Sequence, residues 1–337
     1  MPNYGTTQTE AIRAVYDEAN DALRANEDAN VDVVLAAYKQ AQNDILNAIQ
    51  NVGRAEPDGQ LTLDGLQTSG RLSELLQSIH STAQALGAKV NQTIDTAAVD
   101  QYLQSYQRSV YGLDQATPDN VTVLYAPPPE TAISILANAP YKGAMFSQRI
   151  GMITDEMAAD VRDELMQGLV AGESMADIAD RIQGVIGAGS RAKDAYAIAY
   201  RASVIARTEI MRVQNMARDT TYEQNSDIVE DDAWEVAPDD KLCDWCARRE
   251  GLTDDEIEKA DPGDDPWGNS TDKPLHPQCR CDSVPRLKSW RDLLGLDMPE
   301  EFADDERGMR DENGNWVVAP VETFDAWMDR RGLGDGQ

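Results

Sequence analysis

The chain is poor in the residues that most often announce chemistry. Its 337 residues include only two histidines, four cysteines and three phenylalanines, and aromatic residues make up 6%. So few histidines speak against a nuclease of the kind that needs several, and against a catalytic zinc with a histidine base. Basic charge is also short, with 30 Lys and Arg against 60 Asp and Glu, for a formal net charge of −30. Such a surface repels phosphate, so neither duplex DNA nor an anionic membrane is a partner for the chain as a whole. No apolar run approaches the ~18 to 20 residues of a membrane span. Met1 to Glu10 has no basic n-region and no apolar h-region, so no signal peptide is expected. The expectation is a protein made and kept in a cytoplasm, or packed into something assembled there.

Apolar residues make up 41%, enough for a packed core, and the length suits about two domains. Asp is favoured over Glu and Arg over Lys. That bias fits a salt-adapted, halophilic surface, where short carboxylates stay hydrated. It equally fits an acidic protein from a high-GC genome.

Helical periodicity dominates the first third. Val34, Tyr38, Ala41, Ile45, Ile49 and Val52 form one stripe, and Leu72, Leu75, Ile79, Ala83, Leu86, Val90 and Ile94 form a second. Gly53 to Gly59 breaks the two, and a third stripe at Val99, Leu103, Tyr106 and Val110 follows. Val121 to Tyr125 reads as a short strand stopped by Pro127, Pro128 and Pro129. Thr154 reads as a cap with Asp155 and Glu156 in the first turn, Gly172 as a helix end, and Ser174 with Asp177 as a new start. After a glycine-rich break from Gly184 to Gly189, a long helix is expected from Arg191 to Glu223.

The character changes after Asn225. Between Asp227 and Asp272 stand 17 acidic and 4 basic residues. Ala233 to Val236 reads as a strand, Asn313-Gly314 as a hairpin turn, and Phe324, Trp327 and Met328 as the face of a last helix. The predicted fold is α+β and mainly α-helical, in three consecutive segments. These are a helical N-terminal region (1–117), long central helices (118–225) and a small zinc-stapled α+β module (226–337).

All four cysteines lie in that last segment. Cys243 and Cys246 form a C-x-x-C pair, and His276, Cys279 and Cys281 follow in the run His-Pro-Gln-Cys-Arg-Cys. Two pairs of S and N donors from separated segments are what a tetrahedral structural Zn2+ needs. The metal would cross-link a stretch with few apolar residues. Five candidates compete for four positions: Cys243, Cys246, His276 and either Cys279 or Cys281, with Cys279 ahead on spacing. In an extended segment Cys279 and Cys281 would face opposite ways. Free thiols, or disulfides, are the alternatives. A redox C-x-x-C lacks the surrounding βαβ pattern.

Ala206-Arg207-Thr208-Glu209 in a long helix, then a Trp strand, C-x-x-C, Glu250-Gly251 and His-Pro-x-Cys-Arg-Cys resemble, in this order, the Mu F-type minor head proteins of the phage head morphogenesis family. The resemblance runs from about Phe146 to Pro285. It implies a non-enzymatic structural component of a tailed-virus head, located in the virion and associated with the portal protein and with the major capsid protein or scaffold. It also implies that Arg207, Thr208 and Glu209 are a structural motif tying the helix to the cysteine unit. On a helix Arg207 and Glu209 must make different contacts. Some members are linked to packaged DNA, and here Arg201, Arg207, Arg212 and Arg218 form the one basic strip that could meet it. From other classes stand a cellular zinc-binding adaptor and a nucleic-acid-processing enzyme using Arg207, Glu209 and His276.

Overall fold

The computed structural model describes residues 10–54, 62–117, 121–187, 197–237, 242–288, 308–310, 316–318 and 322–333. It is mainly helical. In chain order the elements are α1 (Glu10–Arg54), α2 (Leu63–Thr68), α3 (Arg71–Ala116), α4 (Glu130–Ala137), α5 (Phe146–Ala171), α6 (Met175–Ile186), α7 (Ile198–Gln224), β1 (Val229–Glu235), α8 (Asp244–Ala247), α9 (Asp254–Lys259), β2 (Asp282–Leu287), β3 (Gly308–Arg310), β4 (Trp316–Val318) and α10 (Phe324–Arg330).

The chain divides into two compact units, each assembled from separated stretches: 1–26, 99–133 and 211–337 in unit 1, and 27–98 and 134–210 in unit 2. The expected second and third stripes belong to one helix, α3, which runs unbroken through 46 residues, and a helix that long contributes to both units.

Unit 2 has an aliphatic core. The first two stripes meet there, with Val34, Ile45, Ile79 and Val90 buried against Ile150, Val161 and Leu165 of α5 and Ile178 and Ile182 of α6. α5 ends at Gly172, whose φ of +67° is the left-handed conformation that glycine adopts without a Cβ clash. α6 begins with Ser174, which accepts from the amide of Asp177, while the Asp177 carboxylate accepts from Ser174 N in return. Gly168 allows the two helices to close, since a Cβ there would lie 2.6 Å from Ile178.

Two local expectations are corrected. Thr154 is not a cap. It is buried within α5, its hydroxyl donating to the carbonyls of Ile150 and Gly151, because Phe146, Ile150 and Ile153 carry the apolar stripe further upstream. Val121–Tyr125 is not a strand. Its polar backbone meets a side chain, as Leu124 N donates to Asn225 Oδ1 and Asn225 Nδ2 donates to Leu124 O. The start of the long helix at 191–196, Gly189, the breaker at 55–59 and the Asn313-Gly314 turn lie outside the described residues.

In unit 1, β1 and β2 pair antiparallel from Glu235↔Asp282 to Val229↔Leu287, with a bulge between Val229 and Asp231. On its other side β1 exchanges Trp234 N→Leu252 O and Gly251 N→Trp234 O. β3 and β4 pair as expected for the hairpin. The last helix, α10, buries Trp327, whose indole donates to Asp114. Asp114 also accepts from Arg330 and Arg331, and these bonds hold its carboxyl below the ordinary range against the opposing effect of burial.

Candidate metal centre

Cys243 has an extended backbone and caps α8, its sulfur accepting from Cys246 N at 3.4 Å. This is the knuckle that C-x-x-C spacing allows, with both sulfurs on one side of a single turn. The second limb is a turn closed by Cys279 N→His276 O, with Gln278 at a φ of +63°.

The two limbs bring all five sequence-predicted donors together as two overlapping groups. Cys243, Cys246 and His276 form one, and Cys246, Cys279 and Cys281 form the other. In each, the donor atoms lie within 4.8 Å of one another. Cys246 belongs to both. His276 Nε2 is 3.2 Å from Cys243 Sγ and 3.3 Å from Cys246 Sγ, and Cys246 Sγ is 3.8 Å from Cys279 Sγ. The expectation that Cys279 and Cys281 face apart is corrected. The chain leaves the turn at Gln278 irregularly and becomes a strand only at Asp282, so alternation does not yet apply.

These positions can hold a metal ion. A metal–sulfur bond of ~2.3 Å sets two sulfurs of a tetrahedral site ~3.8 Å apart, the separation of Cys246 and Cys279. The donors line a cavity of about 20 Å³ with Ala237, Leu242, Gln278 and Arg280, room for one ion or water. His276 Nδ1 lies 2.9 Å from Pro277 O. Donation there fixes the tautomer and leaves Nε2 free to coordinate. The four thiols are not joined as disulfides, and Cys246, Cys279 and Cys281 are buried. Hydrogen bonding with Cys246 and Cys281 lowers the Cys279 thiol, bonding with Cys246 and then Cys279 raises Cys281, and bonding with Cys279 raises Cys246.

Sequence reasoning missed what ties α7 to this centre. Asn215 donates to Cys281 O at 3.2 Å, Arg218 to Ser283 O at 2.7 Å, and Tyr222 to the same carbonyl at 3.2 Å. Gln214 donates to Asp282 Oδ1 at 2.6 Å and accepts from Gln101. All are buried. The signal was present as polar residues at 214, 218 and 222, one helix face at four-residue spacing inside an otherwise buried helix.

The Arg-Thr-Glu motif makes other contacts. Arg207 pairs with Glu27 at 3.0 Å and Asp28 at 2.7 Å, Glu209 pairs with Arg149 at 3.3 Å, and Thr208 bonds back to Val204 O. The arginines of the basic strip are paired with acids or buried. Arg201 pairs with Glu156, Arg212 is buried beside the Met216 sulfur, and Arg218 is fully buried with Asn20 and Asp282. Among the described residues no helix is long and apolar enough to cross a membrane.

Comparison with known proteins covers the stretch that contains these residues. Residues 159–284 match the family described as Phage Mu protein F like protein, a stretch ending just after the cysteine run. The chain is also 30% identical over 158 residues to the NAD(+)--arginine ADP-ribosyltransferase EFV of Enterococcus faecalis, which covers 47% of this chain and 30% of that protein. No solved structure matches.

Proposed function

We propose, from the Phage Mu protein F like character of residues 159–284, that the chain is a structural minor head protein of a tailed virus, acting in head morphogenesis at the portal or the capsid interior. The observation that carries this is the matched stretch itself, because it contains α7, the C-x-x-C knuckle and the His-Pro-Gln-Cys-Arg-Cys turn as one packed assembly. The site is a structural Zn2+ staple held by Cys243, Cys246, His276 and Cys279, with Cys281 as the fifth, adjacent donor. A donor set of S and N atoms selects zinc over magnesium or calcium. Once bound, the ion neutralises thiolate charge and joins the two limbs; the chain's own residues aim Nε2 and exclude water.

The protein has no catalytic role in this reading. The ADP-ribosyltransferase relative is matched over less than a third of its length, so its named activity does not transfer. The long helices supply the docking surface for the portal or capsid subunits. Direct contact with packaged DNA is a weak element, since the arginines offered for it face acids or the interior.

Mass spectrometry of purified virions from an infected host, with cross-linking, tests the placement. The expected result is this chain at low copy number with cross-links to portal or capsid subunits. Its absence from virions, with abundance in the host fraction, would overturn the reading.

A further inference from the structure

The loop between the two limbs of the metal centre is held by a buried ion pair that the donor pattern does not require. Arg249 and Asp265 have side chains only 5% and 6% exposed, with Nη1 to Oδ2 at 2.7 Å. The same Nη1 donates to Trp245 O at 2.9 Å, and Nη2 donates to Gly268 O at 2.7 Å. Arg249 N meanwhile donates to Cys246 O, closing the turn that carries the knuckle. On the other side, Asp265 Oδ1 accepts from Trp267 N at 2.9 Å, and Gly268 N returns to Asp265 O. Trp267 then sets its ring beside the imidazole of His276, with centroids 6.1 Å apart and planes inclined by 36°.

We infer that Arg249 and Asp265 are positioning residues for the metal centre, acting through Trp267 to hold and shield His276. This rests on the metal-binding reading above. A guanidinium forks where an ammonium is a point charge, so one side chain can fasten the knuckle carbonyl at Trp245, the loop carbonyl at Gly268 and the Asp265 carboxylate together. With the loop fastened, Trp267 limits the freedom of the most accessible ligand pair, His276 and Cys243. Outer partners of this kind typically change metal retention by about 10- to 100-fold.

The test uses the full chain loaded with zinc, and separately with cobalt(II). Zinc release to a chromophoric chelator gives the rate, and the visible cobalt spectrum reports ligand geometry. Asp265→Asn, Arg249→Lys and Trp267→Ala are expected to release zinc about 10- to 100-fold faster, with altered cobalt bands and unchanged helical circular dichroism. Trp267→Phe, which keeps a ring, is expected to restore most of the retention. Because the Trp267 ring is partly exposed, Trp267→Ala keeps the test decisive if either charge variant fails to fold. Wild-type release rates and cobalt spectra in both Asp265→Asn and Trp267→Ala would overturn the inference and leave the metal reading intact. A wild-type chain that retains neither ion would overturn the metal reading, and the inference with it.

Discussion

In unit 2, Val34, Ile45, Ile79, Val90, Ile150, Val161 and Leu165 pack as aliphatic side chains. Around Trp234 in unit 1, three of the six buried cluster members are cysteines, with Ile257 and Leu275 completing the set. The first region is stabilised by area removed from water, roughly 25 cal/mol per Å² of apolar surface, and no single side chain is indispensable. The second has little such area. It relies on a few directed contacts, so it should fail abruptly when one is removed. The difference teaches where each kind of damage will be felt.

The largest effect is expected from Cys246→Ser, since that sulfur is the member common to both donor groups. The variant should lose bound zinc and become cleavable by protease between residues 242 and 288, while far-ultraviolet circular dichroism keeps most of its helical signal. Retention of one zinc per chain would break the contrast. Next in size, Leu165→Ala should destabilise the helical core by about 2–5 kcal/mol, through lost transfer energy and a residual cavity. Denaturant unfolding checks it, and metal content should stay at the wild-type value. A matching loss of zinc would show that the two regions do not differ as described. The smallest effect is expected from Ser174→Ala, which removes the cap of α6 and should cost about 1 kcal/mol in the same unfolding assay.

The elements that could be read from sequence are those with a local cause. Stripes at three and four residues marked the faces of α1 and α3. Gly172 marked a left-handed helix end, and Ser174 with Asp177 a helix start. The donors were legible because C-x-x-C and His-Pro-x-Cys are short-range geometry. What failed depended on distant partners. Thr154 followed by two acids looks like a cap until the buried stripe before it is counted. Val121 to Tyr125 looks like a strand, but Asn225, a hundred residues on, takes the place of a neighbouring strand. The bonds from Asn215 and Arg218 to Cys281 and Ser283 are likewise long-range. Periodicity reports which face is buried, not which backbone atom a side chain will reach.

One consequence follows from the place of Cys281 immediately before β2. A two-stranded sheet has little of its own to decide which residue faces which, and a slip of one position would turn every side chain of β2 to the opposite face. Here the first strand residue, Asp282, stands opposite Glu235, and its predecessor is fixed by its sulfur in the cluster and by its carbonyl on Asn215. The centre therefore acts on the sheet as a ratchet pawl acts on a wheel. It admits one tooth, and in doing so sets the alignment of the pairs from Asp282 to Arg286, up to the bulge in β1.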